Sequence, residues 1–140
     1  MSWIAFKTGK VPIGAEHGAP CPVFRKVFSL DKEVSKATLK ITSLGVFKAY
    51  LNGESFSDDY LAPGWTDYCK RIPYCEYDLT NRIRKENTLD VTVADGWYVG
   101  RISWANRERY GSYPLKLWAV LTVTFADGAK IDYLTPSKSK

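Results

Sequence analysis

Residues 45–68 read G-V-F-K-A-Y-L-N-G-E-S-F-S-D-D-Y-L-A-P-G-W-T-D-Y. Phe47, Ala49 and Leu51 alternate with Lys48 and Tyr50, as a half-buried strand requires. Asn52-Gly53 then supplies the two positive-φ positions of a tight hairpin. Beyond it runs a long loop that carries Asp58, Asp59, Trp65, Asp67 and Tyr68 around an Ala62-Pro63-Gly64 turn. Loops of that length are uncommon inside compact domains, and those that keep aromatic and acidic residues are usually functional.

Upstream, Ala37, Leu39 and Ile41 alternate with Thr38, Lys40 and Thr42, a half-buried strand that Gly45 ends. Between Val23 and Leu30 the apolar residues Phe24, Val27, Phe28 and Leu30 alternate only in part, which predicts a strand buried on both faces or carrying a bulge. Residues 1–21 form an irregular arm broken by Gly9, Pro12, Gly14, Gly18 and Pro20, with Trp3, Ile4 and Phe6 able to pin it to the domain.

Downstream, Arg71 to Tyr77 reads as a strand at an edge or bulge because of Pro73, and Asp78 or Thr80 caps one helical turn over Leu79 to Arg84. Leu89, Val91 and Val93 make a further strand that enters a second long loop, from Asp95 to Pro114, with Trp97, Tyr98, Arg101, Trp104, Arg107, Arg109, Tyr110 and Tyr113. Leu117, Ala119, Leu121, Val123 and Phe125 give the clearest alternation, closed by Asp127-Gly128 and returned by Ile131 to Leu134. No repeat and no core-organising helix is visible. The expectation is an all-β, antiparallel jelly-roll β-sandwich over residues 22–134, with two long aromatic loops and a frayed tail over 135–140.

At 140 residues the chain fits one domain, and a globule of that size buries roughly 68 to 70% of its unfolded surface. An aromatic content of 14% is high for so short a chain and asks for a role beyond the core. The net charge of +5 comes from scattered lysines, three of them in the last eleven residues, and reads as a solvated basic surface. Nucleic-acid binding would rest on that charge and the aromatic rings alone. Cys21, Cys69 and Cys75 have no C-x-x-C pair and no histidine at ligand spacing, so no zinc site follows; they read as buried or half-buried thiols of a reducing compartment, with a Cys69–Cys75 bridge as the alternative. No secretory signal and no apolar run of membrane-spanning length is present, and Met1 taken as a native start implies a cytoplasmic protein.

The two loops combine flat rings with carboxylates and a guanidinium, the mixture a sugar site uses. The C–H face of a pyranose packs on an indole or phenol, while its hydroxyls need fixed donors and acceptors. Trp65, Trp97 and Trp104 are candidate platforms, flanked by Tyr68 and Tyr98, and Asp58, Asp59, Asp67, Asp95 and Arg101 are candidate polar partners. The competing reading packs these rings beneath their own loops or against a neighbouring domain. Asp58 and Asp59 are weak candidates for calcium, which takes six to eight oxygens, and no EF-hand spacing accompanies them. Catalysis by the chain alone finds no support. The single histidine, His17, lies in the irregular arm without a nucleophile, no glycine-rich phosphate loop occurs, and nothing places two carboxylates across a cleft roughly 5 to 9.5 Å wide as a glycosidase needs.

The runs L-G-V-F-K-A-Y-L-N-G (44–53), L-A-P-G-W-T-D-Y-C-K-R (61–71), Y-C-E-Y-D-L-T (74–80), D-G-W-Y-V-G-R (95–101) and Y-G-S-Y-P-L (110–115) closely resemble the amino-terminal β-domain of bacterial α-L-rhamnosidases. The resemblance covers roughly residues 22–134, and several ordered motifs are far more specific than one. Ala94 stands where it leads one to expect glycine, and the chain stops before the last stretch such domains usually show. It implies a galactose-binding-like jelly roll, followed in the parent glycoside hydrolase by further β-domains and a helical toroid that holds the acidic catalytic residues. The resemblance implies an accessory module without catalytic residues that meets a rhamnose-containing glycoside, with calcium as a candidate ion because rhamnose-binding modules of related enzymes carry one, or that packs against downstream domains of the same polypeptide.

Overall fold

A computed structural model describes residues 2–5, 21–100 and 110–135. Its strands are β1 (Ile4–Ala5), β2 (Val23–Ser29), β3 (Val34–Leu44), β4 (Val46–Leu51), β5 (Glu54–Ser55), β6 (Cys75–Asp78), β7 (Glu86–Ala94), β8 (Lys116–Phe125) and β9 (Lys130–Leu134), with one short helix, α1 (Gly96–Val99).

All pairings are antiparallel: β1 with β8, β2 with β7, β3 with β6 and β4 with β5. The chain is thus a long hairpin of strand pairs, rolled so that β8 also joins β3 and β7 also joins β4. Two sheets result, β1-β8-β3-β6 and β2-β7-β4-β5, with β9 added beside β8 on the edge it shares with β1. This is the jelly-roll order expected from the alternating strands and turn signals.

The core lies between the sheets. Ala37, Leu39 and Ile41 of β3 and Ala119, Leu121 and Val123 of β8 face Phe47, Ala49 and Leu51 of β4 and Leu89, Val91 and Val93 of β7, all buried. The period-two alternation places each set on one face. Asn52 and Gly53 take φ of 53° and 80°, the hairpin turn their identities predict. Asn52 Oδ1 accepts the Thr88 amide at 2.9 Å and its Nδ2 donates to Asn87 Oδ1 at 3.2 Å, which ties the turn to β7.

At Gly45 the chain crosses from the first sheet to the second. Its φ is 133°, and a Cβ there would lie 2.3 Å from the Ala94 carbonyl oxygen, so only glycine fits. Ala94 itself pairs with Val46 in regular register.

Several expectations need correction. β2 is neither buried on both faces nor bulged. It pairs with β7 over seven consecutive residues, with Val23 and Val27 on the solvent face, 54% and 62% exposed, and Phe24, Lys26 and Phe28 on the inner one. The β6 strand begins at Cys75, after Pro73, whose missing N–H cannot join a ladder; it does lie at an edge. The single turn expected from Leu79 is present, since Asp78 accepts the Thr80 amide at 2.9 Å and Arg82 and Ile83 both donate to the Leu79 carbonyl; it is not prolonged into a helix. Cys21 and Cys69 are exposed, Cys75 is half-buried, and all three are free. Thr135 is not frayed, since it exchanges backbone and side-chain hydrogen bonds with Ala119. Residues 136–140 lie outside the described residues, as do Phe6 and His17. Among the described residues no helix is long and apolar enough to cross a membrane, which says nothing of β-barrels.

Candidate functional site

The loop between β5 and β6 is fastened to the sandwich at three places. Its Ala62 is buried and bridges to β4, with the Phe47 amide donating to the Ala62 carbonyl at 2.7 Å. The next β4 residue, Lys48, sends its Nζ to the Ser57 carbonyl at 2.6 Å and the Asp59 carbonyl at 3.3 Å. From β6, Tyr77 donates its hydroxyl to Asp59 Oδ2 at 2.7 Å. Leu61 to Gly64 forms a closed turn, with the Gly64 amide donating to the Leu61 carbonyl at 3.0 Å and a cis Ala62–Pro63 bond. Leu61 and Gly64 hold positive φ of 57° and 98°.

Beyond the turn, three tyrosines from distant parts of the chain meet. Tyr68 is 7% exposed and donates its hydroxyl to the Gly64 carbonyl at 2.6 Å. Its ring lies 5.8 Å from that of Tyr98, edge to face, and 5.7 Å from that of Tyr110. Above them Trp65 is 64% exposed, and its Nε1 donates to the Tyr110 hydroxyl at 3.2 Å. Gly111 fits under Tyr98 because it has no side chain; a Cβ would fall 2.0 Å from the ring. The Gly111 amide also donates to the Tyr98 carbonyl at 2.9 Å. The described ends of the second long loop, at Tyr98 and at Tyr110 and Gly111, are therefore packed against the first.

The environment holds these groups in defined protonation states. Burial, with Cys75 and Tyr110 nearby, pushes the Tyr68 hydroxyl above the usual tyrosine range. Burial first, then the bond to Asp59, does the same to Tyr77. The Tyr77 hydroxyl, then the Ser57 contact, holds the Asp59 carboxyl below the usual carboxylate range. Burial raises the Cys75 thiol above its usual range.

Of the residues singled out in the sequence, the structure brings Trp65, Tyr68 and Tyr98 together. Asp67 stands beside them, half-buried, but serves its own turn: Oδ1 accepts the Cys69 amide at 3.1 Å and Oδ2 lies 3.3 Å from Lys70 Nζ. Asp95 accepts a hydrogen bond from Tyr113 and begins α1, where Val99 donates to its carbonyl at 3.3 Å. Trp97 is half-buried on α1. Arg101 and Trp104 lie outside the described residues. Tyr110, Tyr77 and Lys48 were not singled out. The alternation of Cys75 and Tyr77 on one face of β6 could have drawn attention to Tyr77; no local pattern pairs Trp65 with Tyr110, 45 residues away.

Asp58 and Asp59, the residues considered for calcium, adjoin each other on the loop between β5 and β6. Asp59 Oδ2 accepts the Tyr77 hydroxyl, and among the described residues no three Asp, Glu, His or Cys side chains gather.

Known proteins agree with this architecture. An α-L-rhamnosidase of Formosa agariphila is 42% identical over 112 residues, 79% of this chain and 12% of that protein. The structure of the native α-L-rhamnosidase of Aspergillus terreus superposes with a TM-score of 0.82 at 36% identity, covering 98% of this chain and 15% of that one. The Streptomyces avermitilis α-L-rhamnosidase complexed with L-rhamnose superposes with a TM-score of 0.76 at 42% identity, covering 83% of this chain and 11% of that one. The chain thus spans only a small fraction of the length of its relatives. The family model for the α-L-rhamnosidase N-terminal domain matches residues 32–137, and the chain belongs to that family.

Proposed function

We propose that this domain recognises carbohydrate, a rhamnose-containing glycoside, and positions it for the α-L-rhamnosidase of which it is the N-terminal part, taking no part in bond cleavage. The observation that carries the reading is Trp65: its indole is 64% exposed, yet its Nε1 is tethered to Tyr110 and its loop is fastened to β4 and β6. A large apolar ring held in water in one pose suits a flat ligand, because little entropy is lost on binding. The carboxylates beside the rings are engaged by Lys70, Tyr77 and Tyr113, which suits fixed acceptors more than an acid–base pair. The complex of the Streptomyces avermitilis α-L-rhamnosidase with L-rhamnose supports this choice of sugar.

Isothermal titration of L-rhamnose into the chain tests this. The expected dissociation constant is on the order of 1 mM, about −4 kcal/mol, weakened at least tenfold in Trp65→Ala at unchanged thermal stability. No heat at millimolar sugar would refute it.

A second reading has its own observation. The same loop exposes Leu61, Ile72 and Tyr74, apolar side chains that a sugar does not need. If they dock a downstream domain of the parent enzyme, Leu61→Ser and Tyr74→Ser in that enzyme lower its stability and activity together. Unchanged stability would refute the docking role.

A further inference from the structure

Tyr60 is 89% exposed, more than any other large apolar or aromatic residue in the described core and loops, and it stands immediately before the turn that Trp65 immediately follows. The bond from the Gly64 amide to the Leu61 carbonyl brings those two residues to the separation of a β-turn, under about 7 Å between Cα atoms. Tyr60 and Trp65 therefore flank the two ends of one turn.

Each ring is held at one place and is otherwise largely exposed. Lys48 Nζ lies 5.6 Å from the centroid of the Tyr60 ring while it also binds the Ser57 and Asp59 carbonyls, so a cation supports one face. Trp65 is held through its nitrogen by Tyr110. The turn between them is anchored by Ala62 to Phe47, the neighbour of Lys48 on β4. One strand thus fixes the turn and the Tyr60 platform together.

We infer that Tyr60 and Trp65 form a two-platform subsite for an oligosaccharide, in which consecutive sugar units each cover one ring. This rests on the carbohydrate reading above and extends it from a single sugar to a chain of sugars. One pyranose has the face to cover one ring, so the second platform is useful only to a longer ligand, and linking two contacts multiplies affinity without any new kind of interaction. Two rings on one rigid turn also share the cost of ordering.

Isothermal titration of L-rhamnose and of an α-linked L-rhamnose trisaccharide into the chain separates the outcomes. The trisaccharide is expected to bind at least tenfold more tightly than the monosaccharide, and Tyr60→Ala to bring that ratio to within about twofold, with an unchanged unfolding curve because the side chain is exposed. Tyr60→Phe, which keeps the ring, is expected to retain the ratio. Equal affinity for the two sugars, or a ratio unmoved by Tyr60→Ala, overturns the two-platform subsite while leaving Trp65 as a single platform. Binding of neither sugar overturns both readings.

Discussion

Replacing Tyr68 probes whether the first long loop is packed against the described ends of the second. Tyr68→Phe keeps the ring contacts to Tyr98 and Tyr110 and removes only the hydroxyl that donates to the Gly64 carbonyl. A single neutral hydrogen bond contributes about 1 kcal/mol net. The melting temperature should then drop by about 4 °C and the urea midpoint by about 0.5 M. Tyr68→Ala also removes the ring, which is 7% exposed and makes two aromatic pairs. Truncating a buried aromatic costs about 3–5 kcal/mol. Urea unfolding followed by far-ultraviolet circular dichroism measures both. An Ala variant within about 0.5 kcal/mol of the parent would show that the loops are not packed together. A Phe variant as damaged as the Ala one would show that the hydroxyl, not the ring, holds them.

Gly45→Ala should destabilise the fold by about 3 kcal/mol, from positive-φ strain plus the displacement of β7 by a Cβ that would meet the Ala94 carbonyl; chemical denaturation reads it. Asn87→Ala should cost about 2–4 kcal/mol, because the buried amide accepts the Arg84 N–H at 2.8 Å and donates to the Arg84 carbonyl, leaving both unpaired. A change under about 1 kcal/mol would show that water replaces the side chain. Tyr68, Tyr77 and Cys75 are all raised, so the stability tied to their protonated forms is complete below the ordinary thiol and tyrosine values and is lost as pH rises above these and through the raised folded ones. Asp59 is lowered, so its contribution is present above the ordinary carboxylate value and is lost as pH falls through its folded one. Melting temperatures across pH should therefore fall at both ends, and Tyr77→Phe should flatten both limbs; identical profiles for parent and variant would contradict the Tyr77–Asp59 link.

The inner strands were legible because their alternation is undiluted. Ala37, Leu39 and Ile41, and likewise Leu117 to Val123, carry an apolar residue at each inward position, and Asn52-Gly53 marks its own turn. β2 was misread because an edge strand tolerates exceptions: Lys26 sits on the inner face and Val23 and Val27 on the outer one, which erases the period. The site was legible only as a composition of rings and carboxylates. Which ring meets which depends on strands that bring Tyr68, Tyr98 and Tyr110 together across the fold, and no local spacing encodes that. Asp67 illustrates the limit, since its place next to Trp65 marked it for a ligand while its nearest use is the Cys69 amide two residues on.

A sugar-binding face on Trp65 is detectable by saturation-transfer difference NMR with methyl α-L-rhamnoside. Irradiating the aromatic protons of the chain should transfer saturation most strongly to the ring C–H protons of the sugar, and Trp65→Ala should reduce that transfer at least fivefold while the protein keeps its amide spectrum. Absence of transfer in the parent, or transfer undiminished in Trp65→Ala, would rule out Trp65 as a sugar platform.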